Sequence, residues 1–255
     1  MTLPEGLLTL LSGWLWVGLI VFLRVGAAMA ALPVLGEQTV SVRVRLMLSL
    51  TLTVVILPAA SAQIAAPPPG LPALTVAILS ESVNGLLLGL WLRLFIHALQ
   101  TAGSIAAQST SLAQLLGNSA ADPMPAIGHI LTVAGLALLM TTGFHVKAAA
   151  FFVLSYELLP ALHFPDPATV AEAGRDRVAQ CFALAFTLAA PFVILSALYN
   201  LTLGFINKAM PQLMVAFVGA PVITFGSIAL LLLTAPMMLS VWLSAVDAFL
   251  SSPFR

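Results

Sequence analysis

The chain has 255 residues, 61% hydrophobic and 7% charged, with nine basic and nine acidic side chains and no net charge. Soluble domains carry about 25% charged residues, so these few charges cannot cover a water-facing surface, and both a soluble monomer and a disordered chain are excluded. Zero net charge and a pI near 6.9 leave no basic surface to neutralise phosphates, which argues against any nucleic-acid partner.

The first apolar run covers roughly 7–35, is interrupted at Arg24, and ends before the polar stretch Gly36 to Arg45. The start, MTLPEG, has Glu5 as its only charge, and no basic residue precedes Arg24. A secretory signal opens on a basic region, so a retained membrane helix is expected instead. The second run, 46–63, stops at Pro67-Pro68-Pro69-Gly70, a strong breaker. The third covers 72–100, and residues 101–125 are too polar for a span. The fourth starts near Ala126 and continues to Leu159, with a kink predicted at Gly143. A loop is predicted from His163 to Arg177, then a fifth run over 178–206. The last run, 209–250, is overlong: the 38 uncharged residues from Ala209 to Val246 stretch about 57 Å as a helix, against about 30 Å of hydrocarbon. Pro211, Gly219-Ala220-Pro221 and Pro236 predict that it is kinked, broken or projecting from the bilayer. None of these runs alternates polar with apolar as a half-buried strand does. The fold class is therefore an all-α integral membrane protein of about six long, kinked helices arranged as hairpins.

Arg43 and Arg45 in the first loop, and Lys208 between the last two runs, place those loops in the cytoplasm and the N-terminus outside. Arg175 and Arg177, partly offset by Glu172 and Asp176, oppose that orientation.

Enzyme chemistry has little to stand on. His97, His129, His145 and His163 form no HExxH pair, and there is no GxSxG elbow and no Walker loop. No metal or cofactor is expected. Cys181, in the run CFALAF, is expected to be a small buried hydrophobe. The charges inside apolar runs say more, because a charge at the bilayer centre costs about 2.5–3.5 kcal/mol on insertion scales. Arg93, Lys147 and Glu157 sit near run ends and are expected to snorkel. Arg24 and Glu81 lie deeper, and suit an ion pair within the chain or with a neighbouring protein; a proton relay at Glu81 is the sharper alternative. The stretch Ala102 to Ser111 is small and hydroxyl-rich. It fits close helix packing, and equally an irregular segment lining a cavity beside the apolar Leu112-Ala113-Gln114-Leu115-Leu116.

Five segments together resemble the flagellar biosynthetic protein FliR family: FLRVGAAMAALPVLGEQTVSVRVRLMLSLTLTVVILP from Phe22 to Pro58, ESVNGLLLGLWLRL from Glu81 to Leu94, AGSIAAQSTSLAQ…ADP from Ala102 to Pro123, GFHVKAAAFFVLSYELLP from Gly143 to Pro160, and PQLMVAFVGAPVITFG from Pro211 to Gly226. They cover nearly the whole chain in order. The resemblance implies an integral subunit of the type III secretion export gate, in the bacterial inner membrane within the flagellar basal body. It implies a FliP-like part over 1–177 followed by a FliQ-like helical hairpin over 178–255. Implied partners are FliP-like and FliQ-like subunits in one complex, FlhB-like and FlhA-like export components, membrane lipid, and unfolded flagellar substrates passing through a shared conduit. The family's channel loop matches Gln108, Ser109, Ser111, Leu112, Leu115, Leu116, Asp122 and Pro123, with Leu112 and Leu115 where relatives often carry bulky apolar residues. From the charges and breakers themselves, Arg24, Glu81, Arg93 and Glu157 are expected to be intramembrane charges or subunit contacts, and Gly143, Pro211, Pro221 and Pro236 helix breaks. Ser109-Thr110 departs from the glycine-containing run expected there, and the spacing from Gln108 to Asp122 is longer. The homologous injectisome subunit is the nearest alternative. A secondary transporter with helices broken at Gly219-Pro221 and Pro236 is the alternative of another class.

Overall fold

The computed structural model describes residues 5–37, 39–65, 70–110, 126–210 and 215–252, with backbone alone for 5–11, 110, 215–218 and 220. Seven helices are described: α1 Glu5–Met29, α2 Val42–Ala60, α3 Leu71–Thr110, α4 Ala126–Thr141, α5 Phe144–Leu158, α6 Pro167–Ala209 and α7 Val215–Ser251, with one 3-10 turn at Ser61–Gln63. No strand occurs among the described residues. Among the described residues, five stretches are long and apolar enough to cross a membrane: Ser12–Met29, Val42–Gln63, Leu71–Ser109, Pro167–Ala209 and Pro221–Ser251. The broken pair α4 and α5 makes a sixth when taken as one span. The protein is an all-α integral membrane protein.

The helices pack as two units interleaved along the sequence. One holds the described parts of Met1–Leu94, Leu139–Arg177 and Ala248–Arg255; the other holds those of Phe95–Leu138 and Val178–Asp247. In the first, α1 buries Trp16, Ile20, Val21, Val25, Ala28 and Met29, the spacing of one helix face. Ile56, Leu88, Phe144, Phe151 and Phe152 meet the same core. In the second, Ala98, Ala102 and Ala106 recur every four residues on α3, and the buried face of α6 carries Ala185, Leu188, Ala189, Phe192 and Ser196. Small side chains let helices approach closely where dispersion drives association. Outward faces stay apolar: Phe186, Leu198 and Phe205 on α6, and Phe225, Leu232 and Leu233 on α7, are exposed.

Several boundaries differ from those predicted. The first helix ends at Met29 rather than near 35, because a turn containing Pro33 follows and Gly36 packs against the Met29 and Leu32 carbonyls, where a Cβ would overlap them. Helix α3 runs on into the stretch expected to be too polar, as far as Thr110, since its hydroxyls bond back along the helix, as Ser109 Oγ does to the Ala106 carbonyl at 2.9 Å; residues 111–125 lie outside the described residues. The loop expected up to Arg177 ends at Asp166 instead. Pro167 suits the first helical position, and Asp166 caps it by accepting from the Thr169 amide at 2.9 Å and the Thr169 hydroxyl at 2.7 Å. The expected kink at Gly143 is a break: Gly143 takes φ 77°, a left-handed value that glycine adopts without strain, between α4 and α5. Pro221 and Pro236 do not break α7, which runs through both. An interior proline removes a single ladder bond, and a long helix keeps the rest. Pro211 lies outside the described residues. Cys181 is half-buried rather than buried.

The Asp166 cap gives a pH signature. Hydrogen bonds from the Thr169 hydroxyl and amide hold the carboxyl below its ordinary value of 3.8. A depressed pKa contributes stability above the unfolded-state value and loses it as pH falls through the folded one. Asp166→Ala is expected to lower the thermal midpoint at neutral pH, and the gap to wild type should close only below pH 3.8. Midpoints of detergent-solubilised protein across an acid series check this.

Candidate functional site

Of the predicted channel-loop residues, Gln108 and Ser109 end α3, whereas Ser111, Leu112, Leu115, Leu116, Asp122 and Pro123 lie outside the described residues. What the second unit shows is how the two helices flanking that segment are held. Gly103 of α3 packs directly on Gly128 of α4, so that a Cβ on Gly103 would overlap the Gly128 Cα. Such an approach brings two backbones together before α3 ends and just after α4 begins. The last carbonyls of a helix have no intrahelical donor. Here the Ser109 carbonyl accepts a hydrogen bond from Ser196 Oγ of α6, and Asn200 Nδ2 donates to that same Oγ at 3.3 Å. One turn beyond Gly128, Thr132 Oγ1 donates to the Gly128 carbonyl at 2.7 Å. Further along, the fully buried Trp242 of α7 donates from Nε1 to the Phe95 carbonyl at 2.7 Å and packs against Gly135. Packing therefore accounts for the small residues from Ala102 to Ala106, which are helical rather than irregular.

In the first unit the two deep charges meet. Arg24 of α1 and Glu81 of α3, both wholly buried, form a bidentate pair, Nε to Oε2 at 2.7 Å and Nη2 to Oε1 at 3.2 Å. The remaining capacity is used as well. Arg24 Nη1 donates to Ser155 Oγ at 3.2 Å and Nη2 to the Leu159 carbonyl at 3.0 Å. The guanidinium carbon lies 3.8 Å from the Tyr156 ring centroid, a cation–π contact. Glu81 Oε1 accepts from the Leu162 amide at 2.7 Å, and Asn84 Nδ2 donates to the His163 carbonyl at 3.1 Å. Desolvating two ions costs several kcal/mol each, and their attraction compensates only when geometry is good and the other donors and acceptors are satisfied. Both conditions hold. Gly85 and Gly89, one turn apart on α3, rest on the Arg24 and Ala28 backbone, which brings the two helices close enough for a short-armed bridge. The segment after α5 is thereby strapped across the pair, with Leu162 held at φ 67°, an uncommon conformation for a non-glycine residue.

The remaining predicted residues scatter. Arg93 lies 3.9 Å from Glu37, both about three-quarters buried, and Arg45 Nη2 donates to the Glu37 carbonyl at 3.0 Å. Arg43 is exposed on α2 and Glu157 is exposed in the last turn of α5. His97 Nδ1 lies 3.0 Å from Gln100 Oε1 on its own helix. Among the described residues no three metal-binding side chains converge. The sequence reading missed Ser155, Tyr156, Leu162 and Asn84 around the ion pair, and Ser196 and Trp242 around the α3–α4 approach. Ser196 and Asn200, isolated polar residues one turn apart in an apolar run, were the one available hint.

A family model for the bacterial export proteins, family 1, matches residues 15–249. The chain is 32% identical to the flagellar biosynthetic protein FliR of Caulobacter vibrioides, over 89% of this chain and 91% of that protein. It is 28% identical to the flagellar biosynthetic protein FliR of Escherichia coli K12, over 84% of this chain and 82% of that one.

Proposed function

The chain belongs to the bacterial export proteins, family 1, and from that membership we propose a membrane subunit of the flagellar protein-export gate that forms part of the conduit for unfolded rod, hook and filament subunits. The observation that carries this is the family match from residue 15 to 249 together with relatives of flagellar name over nearly full length. In this reading the subunit sits in the inner membrane within the flagellar basal body. It has a FliP-like part over 1–177 and a FliQ-like hairpin over 178–255. It assembles with FliP-like and FliQ-like subunits and works beside FlhB-like and FlhA-like components. Its role is structural, forming walls and part of a constriction.

The physics of the role suits the chain. A conduit for unfolded polypeptides must not hold them tightly, which favours small and apolar walls. An idle conduit must still block ions, and a ring of apolar side chains does so by excluding water. Leu112 and Leu115 are assigned to that constriction from the family likeness, and the Gly103–Gly128 approach supports it by bringing the flanking helices together. Leu112→Gly with Leu115→Gly is expected to raise ion leak through the assembled complex reconstituted in a planar bilayer. Equal conductance in wild type and mutant would remove the gate assignment. A transporter reading rested on helix breaks at Pro221 and Pro236, and α7 is continuous there.

A further inference from the structure

A buried hydroxyl in an apolar helix has an acceptor at hand in the carbonyl three or four residues earlier. Thr53, Ser80, Thr132 and Ser227, all buried, donate to that carbonyl of their own helix. Ser196 of α6, also buried, does not. Its Oγ donates to the Ser109 carbonyl of α3, 87 positions away in the chain. A hydroxyl carries a single proton, so this bond excludes the local one to Phe192 or Val193. Asn200, exposed one turn later on α6, donates from Nδ2 to the same Oγ at 3.3 Å. An exposed amide, a buried hydroxyl and a helix-end carbonyl thus stand in one chain, in which each hydrogen bond polarises the next.

Helix α3 is held at two levels near its end, and the two holds differ in kind. At Gly103 it meets the Gly128 backbone of α4 so closely that a Cβ would overlap. No rotamer change relaxes a contact of backbone on backbone. About 9 Å further on, at 1.5 Å per residue, the hold at Ser109 is a bond from one side chain. Rotation about χ1 redirects Ser196 Oγ to the Phe192 or Val193 carbonyl, the kind of bond the other four hydroxyls make. Both positions satisfy the proton. The Gly103 contact is therefore a fixed point, and the Ser109 contact has two discrete arrangements.

We propose, resting on the reading that Leu112 and Leu115 form the constriction, that Ser196 backed by Asn200 is the latch of that constriction. Bonded to Ser109, Ser196 positions the end of α3 for the closed state. Turned onto its own helix, it frees that end while the Gly103 contact stays in place. Ser109 precedes Leu112 by three residues, so a hold on its carbonyl acts close to that leucine in the chain. Closed, the Ser196 Oγ makes two hydrogen bonds, one to Ser109 and one from Asn200; released, it makes one. The closed state is favoured by about one hydrogen bond, a bias that a passing polypeptide can overcome. Ser196 is a positioning residue, acting on the constriction through α3.

The test uses the full chain with the subunits that co-purify in mild detergent, reconstituted in planar bilayers, with intact-complex mass as the check on assembly. Ser196→Ala is expected to raise the idle conductance about fivefold, the weight of one net hydrogen bond, in complexes of wild-type mass. Asn200→Ala should raise it about twofold, because an exposed amide is solvated when released. The amide acts through the hydroxyl, so adding Asn200→Ala to Ser196→Ala should raise conductance no further. Additive effects would overturn the latch. Wild-type conductance in both single variants, beside a leaking Leu112→Gly with Leu115→Gly, would also overturn it and leave the conduit reading intact. Wild-type conductance in the leucine variant as well would remove the constriction assignment, and the latch with it. Should Ser196→Ala fail to assemble, Asn200→Ala at its exposed position decides alone, and unchanged conductance there overturns the latch.

Discussion

Glu81→Ala is expected to destabilise the protein by about 3–5 kcal/mol, the usual cost of removing one partner of a buried ion pair. Arg24 would remain wholly buried without its carboxylate. Its other contacts, Ser155 Oγ, the Leu159 carbonyl and the Tyr156 face, supply no negative charge. The Leu162 amide would lose its acceptor as well. Two further variants separate charge from packing. Glu81→Gln keeps shape and one acceptor and should fall between wild type and Glu81→Ala. The pair Arg24→Met with Glu81→Leu should recover much of the loss, since apolar replacement of both ions is often neutral or stabilising. Thermal midpoints in detergent and steady-state amounts in membranes measure the order. Limited proteolysis near Leu162 should rise in Glu81→Ala, because the strap after α5 loses a tether. A double variant no better than Glu81→Ala would show that the charges are needed for more than mutual compensation.

Gly103→Val should have the second large effect, and it concerns the proposed conduit directly. A Cβ on Gly103 meets the Gly128 backbone, which cannot rotate away, so α3 and α4 must separate. Overpacking of this kind costs about 1–3 kcal/mol, and a backbone obstacle puts it at the upper end. Moving the helices that flank 111–125 should also reduce secretion of flagellar substrates in a motility strain by tenfold or more. Two other glycines set the scale. Gly135→Ala meets Leu99 Cδ1, the far end of a flexible side chain, so its effect should be smaller. Gly204 faces open space, so Gly204→Ala should be neutral or slightly stabilising through helix propensity. Secretion unaffected by Gly103→Val, in protein present at wild-type levels, would dissociate the α3–α4 approach from export.

The class of the fold was legible because charge is so scarce. Blank runs of twenty or more residues have no other reading in lipid, and the break at Gly143 follows from backbone chemistry. Arg24 and Glu81 were legible as a candidate pair because each interrupts an apolar run at a depth where an unpaired charge is costly. Their remaining partners were not. A carbonyl at Leu159 and an amide at Leu162 are present in every residue, and tertiary geometry alone decides which one is used. The inward faces were hidden for a related reason. A helix apolar on all sides has no contrast between core and lipid, so the spacing that buries Trp16 and Ile20 and exposes Leu15 and Leu19 carries no mark in composition. The extension of α3 to Thr110 was missed because hydroxyl residues in a membrane helix satisfy themselves against the preceding turn. The unbroken α7 shows the reverse error, since proline was given more power than it has inside a long helix.

The Arg24–Glu81 pair also sets an order of events at birth. Its two members lie 57 positions apart in the chain, and the strap that completes it begins 135 positions after Arg24. At about 5–20 residues per second, Arg24 joins the growing chain roughly 3–11 s before Glu81 does. During that interval the insertion machinery must keep the first helix at the lipid–water boundary, or shelter the guanidinium itself, until the third helix arrives.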